Sequence, residues 1–194
     1  MDRLRAGIAL YNAGRYLAAH EPLETQWLEA PPGERDDCLQ GLIQATAAAH
    51  KSFTGNRSGA AGLAESAVGY LERCDRIDVD PLRSWLDRLA SDPKLAKRER
   101  PPELELDGTV VTVDDLRFPA AAIAARALAE TDDDEVLASA VEYAEFDLEA
   151  GNGTSPFVAL TLDYVRTRDP IVRQRLEEHV ERRRSRDADV EDLF

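Results

Sequence analysis

The chain has 194 residues, 43% of them hydrophobic and 32% charged, and a formal net charge of −14. That length suits one domain or two small ones with a real core, and no apolar run approaches the roughly 18 residues that span a bilayer. The negative charge weighs against nucleic acid as a partner, and a start of Met1-Asp2-Arg3-Leu4 without a basic-then-apolar pattern fits a cytoplasmic protein.

In chain order, residues 1 to about 95 read as a helical bundle. Leu4, Ile8 and Tyr11 space a first helix that Asn12-Ala13-Gly14 ends. A second runs from about Arg15 to Glu29 and closes at Ala30-Pro31-Pro32-Gly33. The third, from about Glu34 to Thr54, carries Leu39, Leu42, Ile43, Thr46, His50 and Phe53 on one stripe. After the turn Gly55-Asn56-Arg57-Ser58-Gly59, Ser58 is placed to cap a fourth helix through about Leu71. Asp80-Pro81 starts a fifth, with Leu82, Trp85, Leu86 and Leu89 on its apolar face. Cys38 and Cys74 have no metal-ligand or Cys-x-x-Cys spacing and read as buried free thiols.

Residues 96–119 read as a linker and a possible small β-hairpin: Lys94 to Pro102 is charged and proline-bounded, and the hairpin is expected at 103–113 around Asp107-Gly108. Helices follow at about 120–130, 135–149, 156–167 and 170–184, capped by Asp133 or Asp134, Ser155 and Asp169. Residues 185–194 form an acidic tail that is expected to fray. Its last residues, Asp192-Leu193-Phe194, read as a short docking motif or as an apolar end folding back. The fold class is therefore all-α: an N-terminal bundle, a possible hairpin and a C-terminal helical region of 120–184.

One stretch carries unexpected chemistry. Tyr16, His20, Leu23 and Trp27 fall at spacings of 4, 3 and 4, the buried seam of a packed helix, which would put a histidine in the core. Glu24 lies one turn beyond His20, and Glu21 beside it. Folding the chain back about residue 32 sets His20 opposite Gln44 and Glu24 opposite Gln40. His50 lies about 9 Å further along the axis and should meet Asn12 or the Asn56 turn first. Pro22 allows two geometries: a helix kinked at that point, or a helix that begins there and leaves His20 in the preceding turn.

An aromatic-rich start, His20-Glu21, Glu24, Trp27, then Leu39-Gln40-Gly41-Leu42-Ile43-Gln44 and Gly55-Asn56 with Gly59-Ala60 together resemble domain-of-unknown-function family 309 over roughly residues 4–75. The resemblance implies a small all-helical bundle without an established biochemical activity. Its hallmark residues map to His20, Glu21, Glu24 and Trp27, and Pro22 departs from the aliphatic residue usual there. Of the 24 cationic residues only Lys51, Lys94 and Lys97 are lysines, and this arginine-rich, acidic composition resembles that of proteins from halophilic archaea.

Three roles fit the layer of His20, Glu21, Glu24, Trp27, Gln40 and Gln44, with His50 and Asn56 nearby. It satisfies itself and sets helix register, so that the protein acts as a binding or self-associating module through its surface. It holds a divalent metal through His20 and Glu24, although a catalytic zinc needs about three protein ligands. Or Glu24 and His20 transfer protons in an enzyme. No cofactor signature accompanies them, and no membrane partner is expected. Elsewhere His179 reads as solvated, Glu142, Glu145, Asp147 and Glu149 as a hydrated face, and Arg182-Arg183-Arg184 as a dipole-complementing helix end.

Overall fold

The structure is a computed structural model that describes residues 1–72 and 74–191. These form nine helices and one two-stranded sheet: α1 (Asp2–Asn12), α2 (Tyr16–Glu29), α3 (Asp37–Phe53), α4 (Arg57–Tyr70), α5 (Asp80–Ser91), β1 (Glu105–Leu106), β2 (Thr109–Val110), α6 (Phe118–Asp132), α7 (Glu135–Glu149), α8 (Pro156–Thr167) and α9 (Pro170–Glu191). The all-α reading holds. No described helix is long and apolar enough to cross a membrane. The chain divides into two compact units, Met1–Leu116 and a second from Arg117 onward.

In the first unit each helix from α1 to α5 packs on the next. Small residues set the spacing. A Cβ on Gly7 would stand 2.6 Å from Leu23 Cγ, and one on Gly41 would stand 2.6 Å from Leu71 Cγ and 3.1 Å from its backbone nitrogen. Ala60, Ala64 and Ala67 give α4 an equally lean face, and all three are fully buried. The buried face of α2 is Ala18, Ala19, Pro22 and Leu23. The expected seam is therefore rotated: of Tyr16, His20, Leu23 and Trp27, only Leu23 is buried. Alanines admit a closer helix approach than large side chains do, so the burial follows them.

Glycines in the left-handed region end α1 and α3. At the end of α1, Gly14 (φ 73°) lets its own N–H donate to the Tyr11 carbonyl and the Arg15 N–H to that of Leu10, both at 2.8 Å. Gly55 (φ 88°) does the same for α3, where the Asn56 N–H donates to the Lys51 carbonyl at 2.9 Å. Asn56, not Ser58, then caps α4 by accepting from the Gly59 N–H at 3.1 Å. The turn is two residues shorter than expected.

Cys38 and Cys74 are disulfide-bonded, with Cα atoms 5.4 Å apart, which corrects the expectation of free thiols. The bond joins the first turn of α3 to the chain after α4, two places 36 residues apart that only the antiparallel packing brings together.

Residues 96–116 belong to the first unit. Leu104, Leu106, Val111 and Leu116 are all at most 3% exposed, so the hairpin and the residues after it contribute core. The hairpin pairs Glu105 with Val110 and Leu106 with Thr109 across Asp107-Gly108, both at positive φ, as a type I′ turn requires. Ile77 bridges Leu106 on the other edge, and Arg76 forms an ion pair with Asp107 that holds this carboxyl below the usual range. The outer edge of β1 is thereby covered.

In the second unit α6 packs on α7 and α8, and α9 on α7 and α8. The alanines of α6 and Leu128, Leu137, Val141, Phe157, Leu176 and Val180 form its core. Asp134, Ser155 and Asp169 cap their helices as expected. Several sequence expectations change. Asp147 is 7% exposed and its carboxylate accepts from Arg183 at 3.1 Å, while Glu145 pairs with Arg126, so this acidic run is not simply a hydrated face. His179 is half-buried with its ring edge-on to Phe157 at 5.9 Å, and burial followed by the Arg182 charge pushes its pKa down. Arg182–184 lie mid-helix, because α9 continues to Glu191 where a fraying tail was expected. The Asp192-Leu193-Phe194 motif lies outside the described residues.

Two outcomes follow from this packing. The denatured, unreduced chain is expected to show no titratable thiol, and Cys38→Ser to cost about 3–4 kcal/mol by the loop-closure argument; two reactive thiols before reduction would refute the bond. Gly41→Ala is expected to lower stability to chemical denaturation by about 1–2 kcal/mol, since overpacking against Leu71 outweighs the gain in helix propensity.

Candidate functional site

The residues singled out by the sequence separate into three groups. On α2, His20 Nδ1 lies 3.7 Å from Glu24 Oε2, with side chains 31% and 49% exposed. The pair thus sits on the rim of the helix rather than in a buried layer. Pro22 lies inside a continuous helix, which preserves the one-turn relation between them. Glu21 accepts a hydrogen bond from the Thr25 hydroxyl at 3.0 Å, and the Arg35 guanidinium covers the Trp27 ring at 4.2 Å from its centroid. Gln40 and Gln44 are half-buried, and among the described residues no hydrogen bond joins either to His20 or Glu24. The Gln44 side-chain oxygen is buried without such a partner.

A second group is architectural. Gly41 admits Leu71, Gly55 ends α3 and Asn56 starts α4, so these parts of the motif build the hairpins. Among the described residues no three His, Cys, Asp or Glu side chains cluster as metal ligands do. His20 and Glu24 supply two.

His50 stands apart, in a cleft of about 400 Å³. The α1–α2 turn lends Arg15, the start of α2 lends Tyr16, the last turn of α3 lends His50 and Phe53, and the chain after a short 3₁₀ turn at Leu95–Lys97 lends Arg100. Tyr16 and Phe53 stack with centroids 5.6 Å apart and planes 9° from parallel, and Tyr11 meets Tyr16 edge-on at 5.3 Å. Phe53, expected on the core stripe of the third helix, is 47% exposed and presents its ring to the opening. Burial raises the Tyr16 pKa, and the nearby Arg100 charge opposes that rise. Burial raises that of Tyr11 further, so both phenols stay neutral. His50 shares this cleft with Ala13 and Gly14, the residues that follow Asn12.

Asn12 has another task. Its side-chain amide donates to the carbonyls of Leu104 and Val111, both at 2.9 Å, and its oxygen accepts from the Leu104 N–H at 2.8 Å. This clamp fixes the chain leading from Arg100 to the hairpin against the end of α1. Arg100 is thereby held beside the α1–α2 turn although 84 residues separate it from Tyr16.

Residues 4–63 match a family model described as Domain of unknown function (DUF309). The matched segment covers α1 to α3 and part of α4, somewhat less than the expected residues 4–75, and it contains every cleft residue except Arg100. An uncharacterized protein of Aquifex aeolicus (strain VF5) is 28% identical over 99 residues, which cover 49% of this chain and 29% of that relative. The chain therefore spans under a third of the length of the curated relative it matches. Neither similarity supports the halophilic archaeal origin to which the composition points.

Sequence reasoning found His50 but missed its companions. Tyr16 and Phe53 carried a signal, apolar residues at helix ends, that reads equally as core. Arg100 carried none, because its charged surroundings look like any linker. Replacing Asn12 by Ala leaves three backbone groups at Leu104 and Val111 without their partner. Asn12→Ala is expected to cost about 2–3 kcal/mol in urea unfolding, and a loss below about 0.5 kcal/mol would show the clamp to be dispensable.

Proposed function

We propose that the first unit is a small-molecule-binding module and that its ligand enters the cleft between the α1–α2 turn and the end of α3. The observation that carries this reading is the stacked Tyr16–Phe53 pair, whose outer ring is half exposed beside His50 and two arginines. An aromatic side chain left open to water at the mouth of a concave site gives up burial that a ligand can restore. The volume lies within the range of small-ligand sites, and the walls come from rigid helix ends. The His20–Glu24 pair has no comparable enclosure. Its two half-exposed side chains lie along α2 near the exposed Leu17 and Leu28.

A fragment screen on the ¹⁵N-labelled full chain tests the reading. Binding fragments are expected to shift the amides of residues 13–16 and 50–54 together. Phe53→Ala is expected to abolish those shifts while changing stability by less than about 0.5 kcal/mol, as an exposed site should. Fragments that cluster instead on the His20–Glu24 face of α2 would overturn it.

A further inference from the structure

The charge pattern around the cleft says more than its shape. The chain carries 38 acidic residues against 24 lysines and arginines, so its field repels anions over most of the surface. In the cleft, by contrast, every lining side chain is neutral or cationic. Five other arginines of the first unit pair with carboxylates, Arg3 with Glu29, Arg76 with Asp107, Arg83 with Asp80, Arg88 with Glu99 and Arg98 with Asp92. Arg15 and Arg100 form no ion pair with any described residue. The neighbour best placed to neutralise Arg100, Glu99, is instead engaged by both terminal nitrogens of Arg88. Two guanidinium groups without an ion-pair partner among the described residues thus face one small concavity.

Beside them the ring stack is incomplete. Tyr16 covers one face of Phe53 and leaves the ring half exposed, so a further planar group has a surface to lie on. Guanidinium groups add bidentate, charge-assisted hydrogen bonds to carboxylate or phosphate, and His50 stands within the same walls as a further donor.

Resting on the reading of the cleft as a binding site, we propose that its ligand is a small planar organic anion, an aromatic ring bearing one phosphate or carboxylate. The acid group sits between Arg15 and Arg100 and the ring lies against Phe53. Neither half suffices. A bare inorganic anion forgoes the stack, and a neutral ring forgoes the charge.

Calorimetric and NMR titration of the full chain with phenyl phosphate, benzoate, benzyl alcohol and inorganic phosphate separates the possibilities. Phenyl phosphate and benzoate are expected to bind saturably, at least about tenfold tighter than benzyl alcohol or inorganic phosphate. The double variant Arg15→Gln/Arg100→Gln is expected to bring phenyl phosphate down to the affinity of benzyl alcohol without moving the unfolding midpoint. Arg57→Gln, an exposed arginine outside the cleft, controls for net charge and should leave affinity unchanged. Benzyl alcohol binding in the cleft as tightly as phenyl phosphate would overturn the anion assignment and leave the binding module standing. Inorganic phosphate binding as tightly would overturn the role of the ring. No saturable binding of any probe up to about 10 mM would overturn both proposals.

Discussion

One side chain, Asn12, ties together parts of the first unit that the sequence keeps far apart. Its three hydrogen bonds run to the backbone at Leu104 and Val111, on either side of the hairpin, and each satisfies a group that the turn between helix and strand would otherwise leave unpaired. Because Asn12 is the last residue of α1, the clamp also sets the position of the α1–α2 turn relative to Arg100. The cleft exists because those two segments are adjacent. Arg76 and Ile77 hold the other side of the hairpin, so the segment 96–116 is bound at both edges rather than strung between domains.

The helices themselves are spaced by missing side chains. Gly7 against Leu23 and Gly41 against Leu71 are approaches that an added Cβ would crowd, and the buried alanines of α2 and α4 continue the same lean surface. Several large side chains of α2 and α3 lie at the rims. Trp27 lies under Arg35, Phe53 at a cleft mouth and His20 beside Glu24, whereas the tryptophan in the core is Trp85, 1% exposed. The motif resembling family 309 therefore serves two ends. Its glycines and Asn56 shape the hairpins, and its polar residues occupy an accessible edge.

The acidity of the chain is handled differently in the second unit. Asp134 and Asp147 are nearly buried and each meets an arginine of α9, Arg173 and Arg183 respectively. Arg183 also spans the Tyr143 and Phe146 rings, so its long side chain contributes packing as well as charge. Removing one partner of such a pair leaves a charge in a poorly solvated place, which costs far more than the pair adds. The neutral form of His179 is favoured for a related reason: its ring lies against Phe157 with Arg182 nearby.

Local chemistry made much of the architecture legible in the sequence. Helix stops at Gly14 and Gly55, Pro81 at the start of α5, caps at Asp134, Ser155 and Asp169, and the Asp107-Gly108 turn all act through neighbouring atoms, and all stand where the pattern puts them. What depends on contact between distant segments was not legible. The spacing of large residues pointed to a seam through His20 and Trp27, but burial on α2 is decided by how closely alanine and glycine let the next helix come. The Cys38–Cys74 bond, the clamp of Asn12 on Leu104 and Val111, and the arrival of Arg100 beside Tyr16 each join residues tens of positions apart. By itself the sequence determined an all-α chain and where most of its helices begin and end, because caps and breakers are local. Only the tertiary structure decided which polar residues share a cavity, because that follows from the distance between helices, which the smallest side chains control.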